Sequence, residues 1–139
     1  MNKVYSATMI NTGGRSGGQS VSPDGSFIVD IAPPVEISGK TTIATNPEQL
    51  FAAGYSACFN AALAHVMREE KIKYEKSHVT ATVHLLKDAD GGFEIAVDLM
   101  VAIDDFSKEE NKRIADLAHQ VCPYSKATRG NIPVNITGK

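Results

Sequence analysis

The chain contains two cysteines, Cys58 and Cys122, and no other residues in it offer so wide a range of chemistry. A thiolate can act as a nucleophile, join a second thiol in a disulfide, or bind a metal ion. Cys58 lies in an apolar stretch, residues 49–67, that contains no Asp, Glu, Lys or Arg. Because a lone cysteine in an apolar helix is most often an inert core residue, this position leaves both a structural and a reactive role open. Cys122 precedes Pro123 and is equally ordinary at a helix end.

Three other kinds of site fit the sequence poorly. The loop at residues 13–18 brackets Arg15 with four glycines, but it lacks the lysine and hydroxyl of a phosphate-binding loop, and no helix start follows it. The two cysteines together with His65 and His119 match no usual zinc-ligand spacing. A cysteine hydrolase needs a histidine beside its nucleophile, whereas His65 follows Cys58 by seven residues, about two helical turns.

The composition is typical of one globular domain covering residues 1–139. Hydrophobic residues make up 42% and charged residues 22% of the chain. A net charge of −2 gives no electrostatic reason to expect nucleic acid or an anionic membrane as a partner. The first residues form no apolar segment of the kind found in secretion signals, so we expect a cytoplasmic protein with two reduced thiols.

A long central helix is predicted from the residues around Cys58. Thr45 or Asn46 can cap its start, Pro47 suits the first helical position, and charged residues 68–71 mark its end. Apolar residues occupy every face, which is typical of a helix surrounded by protein. Polar residues such as Asn60 interrupt the apolar run, so a membrane span is not expected.

The remaining pattern predicts an α+β fold in which antiparallel strands pack on two main helices. A second helix begins at the Ser107 capping box and ends at Cys122-Pro123. Apolar residues alternate from Phe93 to Ile103, which indicates a long hairpin with the strand before it. The predicted strands are Lys3–Asn11, Gln19–Val21, Phe27–Ile31, Val79–Leu85, Phe93–Ile103 and Ile132–Ile136.

Three stretches are specific enough to indicate a family: Gly13–Arg15, Thr45–Phe59 and Val121–Asn131. Together they resemble the organic hydroperoxide resistance branch of the Ohr/OsmC family over essentially the whole chain. The resemblance implies an OsmC-like fold assembled as an intertwined homodimer. It also implies a cysteine-based thiol peroxidase that reduces organic hydroperoxides to alcohols and protects against oxidative stress. A lipoylated protein or another dithiol would serve as external reductant, with no metal, haem or flavin cofactor.

The resemblance also implies a role for four residues. Cys58 would be the nucleophile that becomes a sulfenic acid, and Cys122 the resolving thiol that converts it to a Cys58–Cys122 disulfide. Because an apolar setting raises the pKa of a thiol, a positive charge must favour the Cys58 thiolate. Arg15 is the candidate for that charge, and Glu48 would hold Arg15 in place through a bidentate pair.

The spacing of these residues leaves their assembly open. Glu48 and Cys58 are ten residues apart, about 15 Å along a straight helix, which is too far for one guanidinium group to contact both. Either Gly54 breaks the helix, or the network combines residues from two subunits. We expect an obligate homodimer, because one chain has too few elements to cover an apolar helix on all sides.

Two further alternatives remain at the level of sequence. Phe51, Tyr55 and Phe59 lie close to Cys58 along the chain and line either a pocket for an alkyl or acyl tail or only the core. A non-enzymatic, small-molecule-binding dimer with structural thiols is the alternative function.

Overall fold

The computed structural model describes all residues 1–139. Contacts within the chain divide it into two compact units, Met1–Leu50 and Phe51–Lys139. Each unit contains a three-stranded sheet and helical segments, so the predicted α+β class is confirmed. The expectation of a single domain stays a prediction.

The first unit is built on a small antiparallel sheet with strand order β1-β2-β3. Its strands are β1 (Ile10–Thr12), β2 (Gly18–Val21) and β3 (Ile28–Ile31), followed by the short helix α1 (Val35–Ser38). The predicted strand Lys3–Asn11 is wrong for residues 3–9, which pair with no strand in the chain. β-Branched and aromatic residues favour an extended backbone, but an extended segment becomes a strand only where a neighbouring strand pairs with it.

The turn between β2 and β3 confirms the hairpin predicted at Asp24-Gly25. One oxygen of the Asp24 carboxylate accepts hydrogen bonds from the Ser22 hydroxyl at 2.7 Å and from the Ser26 hydroxyl at 2.8 Å and amide at 3.1 Å. These bonds, the one from Ser22 above all, lower the pKa of Asp24 to about 2. Gly25 has a φ of 74°, which glycine adopts without steric cost.

The second unit combines one sheet with the longer helices. Its elements after the central helix α2 (Pro47–Glu69) are β4 (Ser77–Lys87), β5 (Phe93–Ile103), α3 (Lys108–Val121), α4 (Pro123–Thr128) and β6 (Val134–Gly138). β4 and β5 form the predicted antiparallel hairpin, paired from Ser77↔Ile103 to Lys87↔Phe93. β6 instead pairs parallel with β5. The prediction of antiparallel strands is therefore wrong for β6. The helices α3 and α4 connect the end of β5 to the start of β6, because two parallel strands need a long connection between them.

The core of the second unit lies between α2, β5 and α3. Its fully buried side chains include Phe59 and Leu63 from α2, Leu99 from β5, and Ile114 and Ala118 from α3. α3 begins as predicted, with the Ser107 hydroxyl accepting from the Glu110 amide at 3.2 Å. Burial of such apolar side chains is the main source of stability for a unit of this size.

The helix α2 begins at Pro47 and runs to Glu69 without interruption. The Asn46 side chain accepts a hydrogen bond from the Gln49 amide at 2.8 Å, so Asn46 is the residue that caps the helix. The suggested break at Gly54 is therefore wrong. By length and composition α2 could cross a membrane. Within this one chain, 33% of its most apolar 18-residue segment is buried. Its buried face lies in the core of the second unit, as expected for a core helix.

Candidate active site

The two cysteines, distant in sequence, meet in the second unit. Cys122 Sγ lies 3.6 Å from Cys58 Sγ, and both are free thiols. Pro123 cannot continue α3, so Cys122 adopts an extended conformation (φ −66°, ψ 124°) at the junction where α3 ends and α4 begins. Cys58 is partly buried on α2, whereas Cys122 is fully buried. Since a disulfide bond is about 2.05 Å long, the sulfurs must approach by only about 1.5 Å to form one.

The surroundings of Cys58 in this unit favour the neutral thiol. Burial raises the pKa of Cys58, and the hydrogen bond and charge of the Cys122 thiol raise it further. The backbone N–H of Tyr124 favours the thiolate and works in the opposite direction. Because burial is the larger influence, a thiolate at neutral pH needs an additional positive charge.

Cys58 lies at an open depression of about 360 Å³. Its lining is mostly apolar and comprises Cys58, Ala61, Ala62, His65, Val121 and Pro123. The residues contributed by α2 follow Cys58 at spacings of three, four and seven, which places them on the same helical face. His65 is the polar side chain of this lining, and it forms no hydrogen bond with Cys58.

The aromatic residues near Cys58 in sequence belong to the core rather than to this depression. Tyr55 and Phe59 are fully buried, and Phe51 packs against the core cluster. Phe51 contacts Tyr55 and Tyr124 edge-on, with ring centroids 6.1 Å apart in each pair. Burial therefore supports the core interpretation for Tyr55 and Phe59, whereas Phe51 is only partly buried.

A buried hydroxyl cluster joins α2 to α4 beneath these rings. The Tyr55 hydroxyl lies 2.9 Å from Ser125 Oγ and 3.0 Å from Thr128 Oγ1. Gly54, beside Tyr55, has no side chain where the Tyr124 ring packs against the helix. These contacts hold the segment that follows Cys122 against the helix that carries Cys58.

Arg15 and Glu48 form an ion pair in the first unit. Arg15 Nη1 lies 2.7 Å from Glu48 Oε1 and 2.8 Å from Oε2. A single guanidinium nitrogen thus contacts both carboxylate oxygens. The expected bidentate pair would instead use two guanidinium nitrogens, one for each oxygen. The Arg15 side chain is 47% exposed and that of Glu48 15%. The exposed guanidinium keeps its other N–H groups available to a further acceptor.

The glycines beside Arg15 shape the loop that presents it. Gly13 has a φ of 92°, and a Cβ there would lie 2.3 Å from the Gly17 carbonyl oxygen. Gly14 has a φ of 67°, and its amide donates to the Asn11 side chain at 2.9 Å. Any other residue at position 13 would force this loop to open.

The histidines are not grouped with other potential metal ligands in this chain. No group of three or more His, Cys, Asp or Glu side chains is placed to hold a metal ion. His119 Nδ1 is buried without a hydrogen-bond partner, and burial lowers the pKa of His119, with the positive charge of Arg129 adding to the effect.

Comparison with known proteins identifies the family of the chain. The sequence model of the OsmC-like protein family matches residues 38–137. Organic hydroperoxide resistance protein-like 2 of Staphylococcus epidermidis is 48% identical over 136 residues, which cover 97% of this chain and 95% of that protein. The chain belongs to the organic hydroperoxide resistance branch of the OsmC-like family.

Solved structures of this family share the fold. The crystal structure of the organic hydroperoxide resistance protein OhrB of Bacillus subtilis superposes with a TM-score of 0.87 at 45% identity, covering 99% of this chain and 100% of that one. The organic hydroperoxide resistance protein of Elizabethkingia anophelis gives a TM-score of 0.90 at 42% identity, covering 100% and 99%. These matches confirm the OsmC-like fold predicted from the three motifs.

Several residues of the site were not predicted from the sequence. Ala61, Ala62 and His65 of the depression could have been found, because each shares a helical face with Cys58. The amide of Tyr124 and the hydroxyls of Ser125 and Thr128 gave no such signal. These groups come close to α2 only through tertiary packing. Short polar residues after a helix are common in any sequence, so their presence did not indicate this contact.

Proposed function

We propose that this protein is a thiol peroxidase that reduces organic hydroperoxides by means of Cys58 and Cys122. The observation that carries the proposal is the 3.6 Å separation of the two free thiols in a chain of the organic hydroperoxide resistance branch. The Cys58 thiolate attacks the distal peroxide oxygen, which gives a sulfenic acid and releases an alcohol after protonation. The Cys122 thiol then displaces hydroxide from this sulfenic acid, and a disulfide and water are formed.

Arg15 and Glu48 are proposed to activate the nucleophile. The raised pKa of Cys58 calls for a positive charge, and Arg15 carries one with N–H groups available for a further contact. Glu48 restricts the guanidinium through its contact with Nη1. Because α2 continues through Gly54, we propose that the network is assembled between two subunits rather than along one helix.

The proposed substrate carries an apolar tail. The depression beside Cys58 is lined by methyl and methylene groups of Ala61, Ala62, Val121 and Pro123. An alkyl or acyl chain gains free energy by leaving water for such a surface, whereas hydrogen peroxide has no apolar surface to bury. The depression therefore supports selection of organic hydroperoxides.

A second copy of the chain is the proposed structural partner. Ile31 is the one buried hydrophobic residue of the first unit, while Val4, Tyr5, Phe27 and Ile28 are exposed. The outer face of α2 is likewise apolar and uncovered. Exposed apolar surface of this extent favours association, and an intertwined homodimer would cover it in both copies.

The reductant is proposed to be a dithiol on a narrow, flexible arm, such as the lipoyl group of a partner protein. The proposed location of the reaction is the cytoplasm. Cys122 is fully buried and Cys58 is partly accessible. The disulfide would therefore be attacked at Cys58 through the depression, which admits a flexible arm more readily than the surface of a folded protein.

The test is a competition assay coupled to dihydrolipoamide. Alkyl, fatty-acid and hydrogen peroxides are compared as substrates, with dithiol consumption as the signal. We expect organic hydroperoxides to give the higher kcat/KM and the Cys58→Ser variant to give no turnover. If none of the three peroxides oxidises the thiols, the proposal is wrong and the non-enzymatic binding dimer becomes the better interpretation.

A further inference from the structure

The hydroxyl of Tyr55 lies in a fully enclosed position between the two cysteine-bearing segments. Tyr55 precedes Cys58 by three residues on α2 and is 0% exposed. Its hydroxyl contacts Ser125 Oγ at 2.9 Å and Thr128 Oγ1 at 3.0 Å. Ser125 is 0% and Thr128 5% exposed, so water does not compete with these contacts.

The Tyr55 hydroxyl is the shared member of this cluster. It has one proton, so it can donate to one of Ser125 Oγ and Thr128 Oγ1 and accept from the other. Thr128 Oγ1 also lies 3.3 Å from the Ser125 carbonyl oxygen. Tyr55 thus links both hydroxyls of this segment to α2.

The cluster fixes the element that begins at the resolving cysteine. α4 has six residues, starts at Pro123 directly after Cys122, and contains both Ser125 and Thr128. A helix this short is unstable alone, so tertiary contacts determine its position. The Lys126 amide donates to the Cys122 carbonyl at 2.9 Å, which connects the first turn of α4 to Cys122 itself.

We propose that Tyr55 is a positioning residue for disulfide formation, its hydroxyl holding α4, and with it Cys122, against Cys58. The inference rests on the proposed function, in which the Cys122 thiol attacks the Cys58 sulfenic acid. In that step the sulfur–oxygen bond of Cys58 breaks and a sulfur–sulfur bond forms. The hydroxyl group leaves with the Cys122 proton as water. Tyr55 touches none of the reacting atoms and acts through the placement of Cys122.

Tyr55→Phe is the informative variant because it keeps the ring and its packing against Phe51 and Tyr124 while removing the hydroxyl. Loss of two neutral hydrogen bonds predicts disulfide formation that is about tenfold slower than in the parent protein. The rate at which Cys58 first reacts with peroxide should fall less, because α4 affects that step only through the Tyr124 amide. The matched control is Tyr74→Phe, which removes a hydroxyl from a partly buried tyrosine outside the cluster.

Two measurements separate positioning from general destabilisation. In the first, rapid quenching after one equivalent of tert-butyl hydroperoxide gives the rates of sulfenic acid and disulfide formation by mass spectrometry. We expect the second rate to fall more than the first in Tyr55→Phe, with more sulfinic acid on Cys58 at excess peroxide. Equal losses in both rates, or an unchanged second rate, would overturn the inference.

The second measurement requires no peroxide and remains valid if the proposed function fails. Equilibration of the dithiol with a glutathione redox buffer gives the effective concentration of one thiol at the other. We expect this value to fall about tenfold in Tyr55→Phe and to stay at the parent value in Tyr74→Phe. A parent-like value in Tyr55→Phe would show that its hydroxyl does not position Cys122. Absence of peroxide reduction in the parent protein would refute the proposed function alone.

Discussion

The variant Gly54→Ala should disturb the reactive cysteine even though alanine is the better helix former. A Cβ at position 54 would lie 2.7 Å from the Tyr124 hydroxyl oxygen and 3.2 Å from two carbons of its ring. Because these distances are shorter than van der Waals contact, the ring must move. Tyr124 is 39% exposed, so its ring can move toward solvent.

The magnitude follows from two opposing contributions. Replacing glycine by alanine inside a helix contributes about 0.5–1 kcal/mol to stability. Displacing the ring loses its contacts with Phe51 and Tyr55, at centroid distances of 6.1 and 5.6 Å, each worth about 0.5–1.5 kcal/mol. We expect the free energy of unfolding to fall by about 1 kcal/mol, the difference between these contributions. The Tyr124 amide should shift with the ring, so the pKa of Cys58 should rise further.

The assay combines urea unfolding at one fixed protein concentration with a thiol titration of Cys58. The matched control is Gly54→Ala made in a Tyr124→Ala background, where the ring is absent and alanine should stabilise the helix by about 0.5–1 kcal/mol. The reasoning is refuted if Gly54→Ala alone is more stable than the parent protein and leaves the Cys58 titration unchanged.

Three further variants or conditions test the site and its assembly. In Arg15→Ala the pKa of Cys58 should rise and the rate near pH 7 should fall, with partial recovery as the pH is raised; full activity and an unchanged thiol titration would remove Arg15 from the site. In Glu48→Gln the free energy of unfolding, measured in urea, should change by less than about 1 kcal/mol because the ion pair is largely exposed at Arg15. The peroxidase rate of Glu48→Gln should nevertheless fall, since Arg15 loses its restraint; an unchanged rate would argue against that role. For the wild-type chain, light scattering should give the mass of two chains and the melting temperature should decrease on dilution; a monomer with full activity would exclude the proposed dimer.

Local patterns in the sequence predicted the elements whose residues interact with near neighbours. The alternation from Phe93 to Ile103 predicted the first and last residues of β5, and Ser107 marked the start of α3. Asp24-Gly25 likewise predicted the turn that the structure shows. In each case the signal lies within one element or one turn, where periodicity and capping act directly.

Elements that depend on distant partners were predicted less well. The alternation of β6 shows that it is a strand but not whether it runs parallel to β5. α4 was not predicted as a helix, because six residues are too few to show a helical period. The proximity of Cys58 and Cys122 could not be obtained from their spacing, because a sequence separation of 64 places no limit on their distance in the fold. The pairing was expected only because the motifs resemble a family.

The central claim is that Cys58 and Cys122 act together on an organic hydroperoxide. Its most direct test is mass spectrometry of the reduced protein after one equivalent of tert-butyl hydroperoxide, with peptide mapping of the product. We expect the loss of two thiols per hydroperoxide, a single Cys58–Cys122 disulfide, and, in Cys122→Ser, oxidation confined to Cys58. A stable sulfenic acid on Cys122 with Cys58 unmodified, or recovery of both thiols unchanged, would contradict the claim.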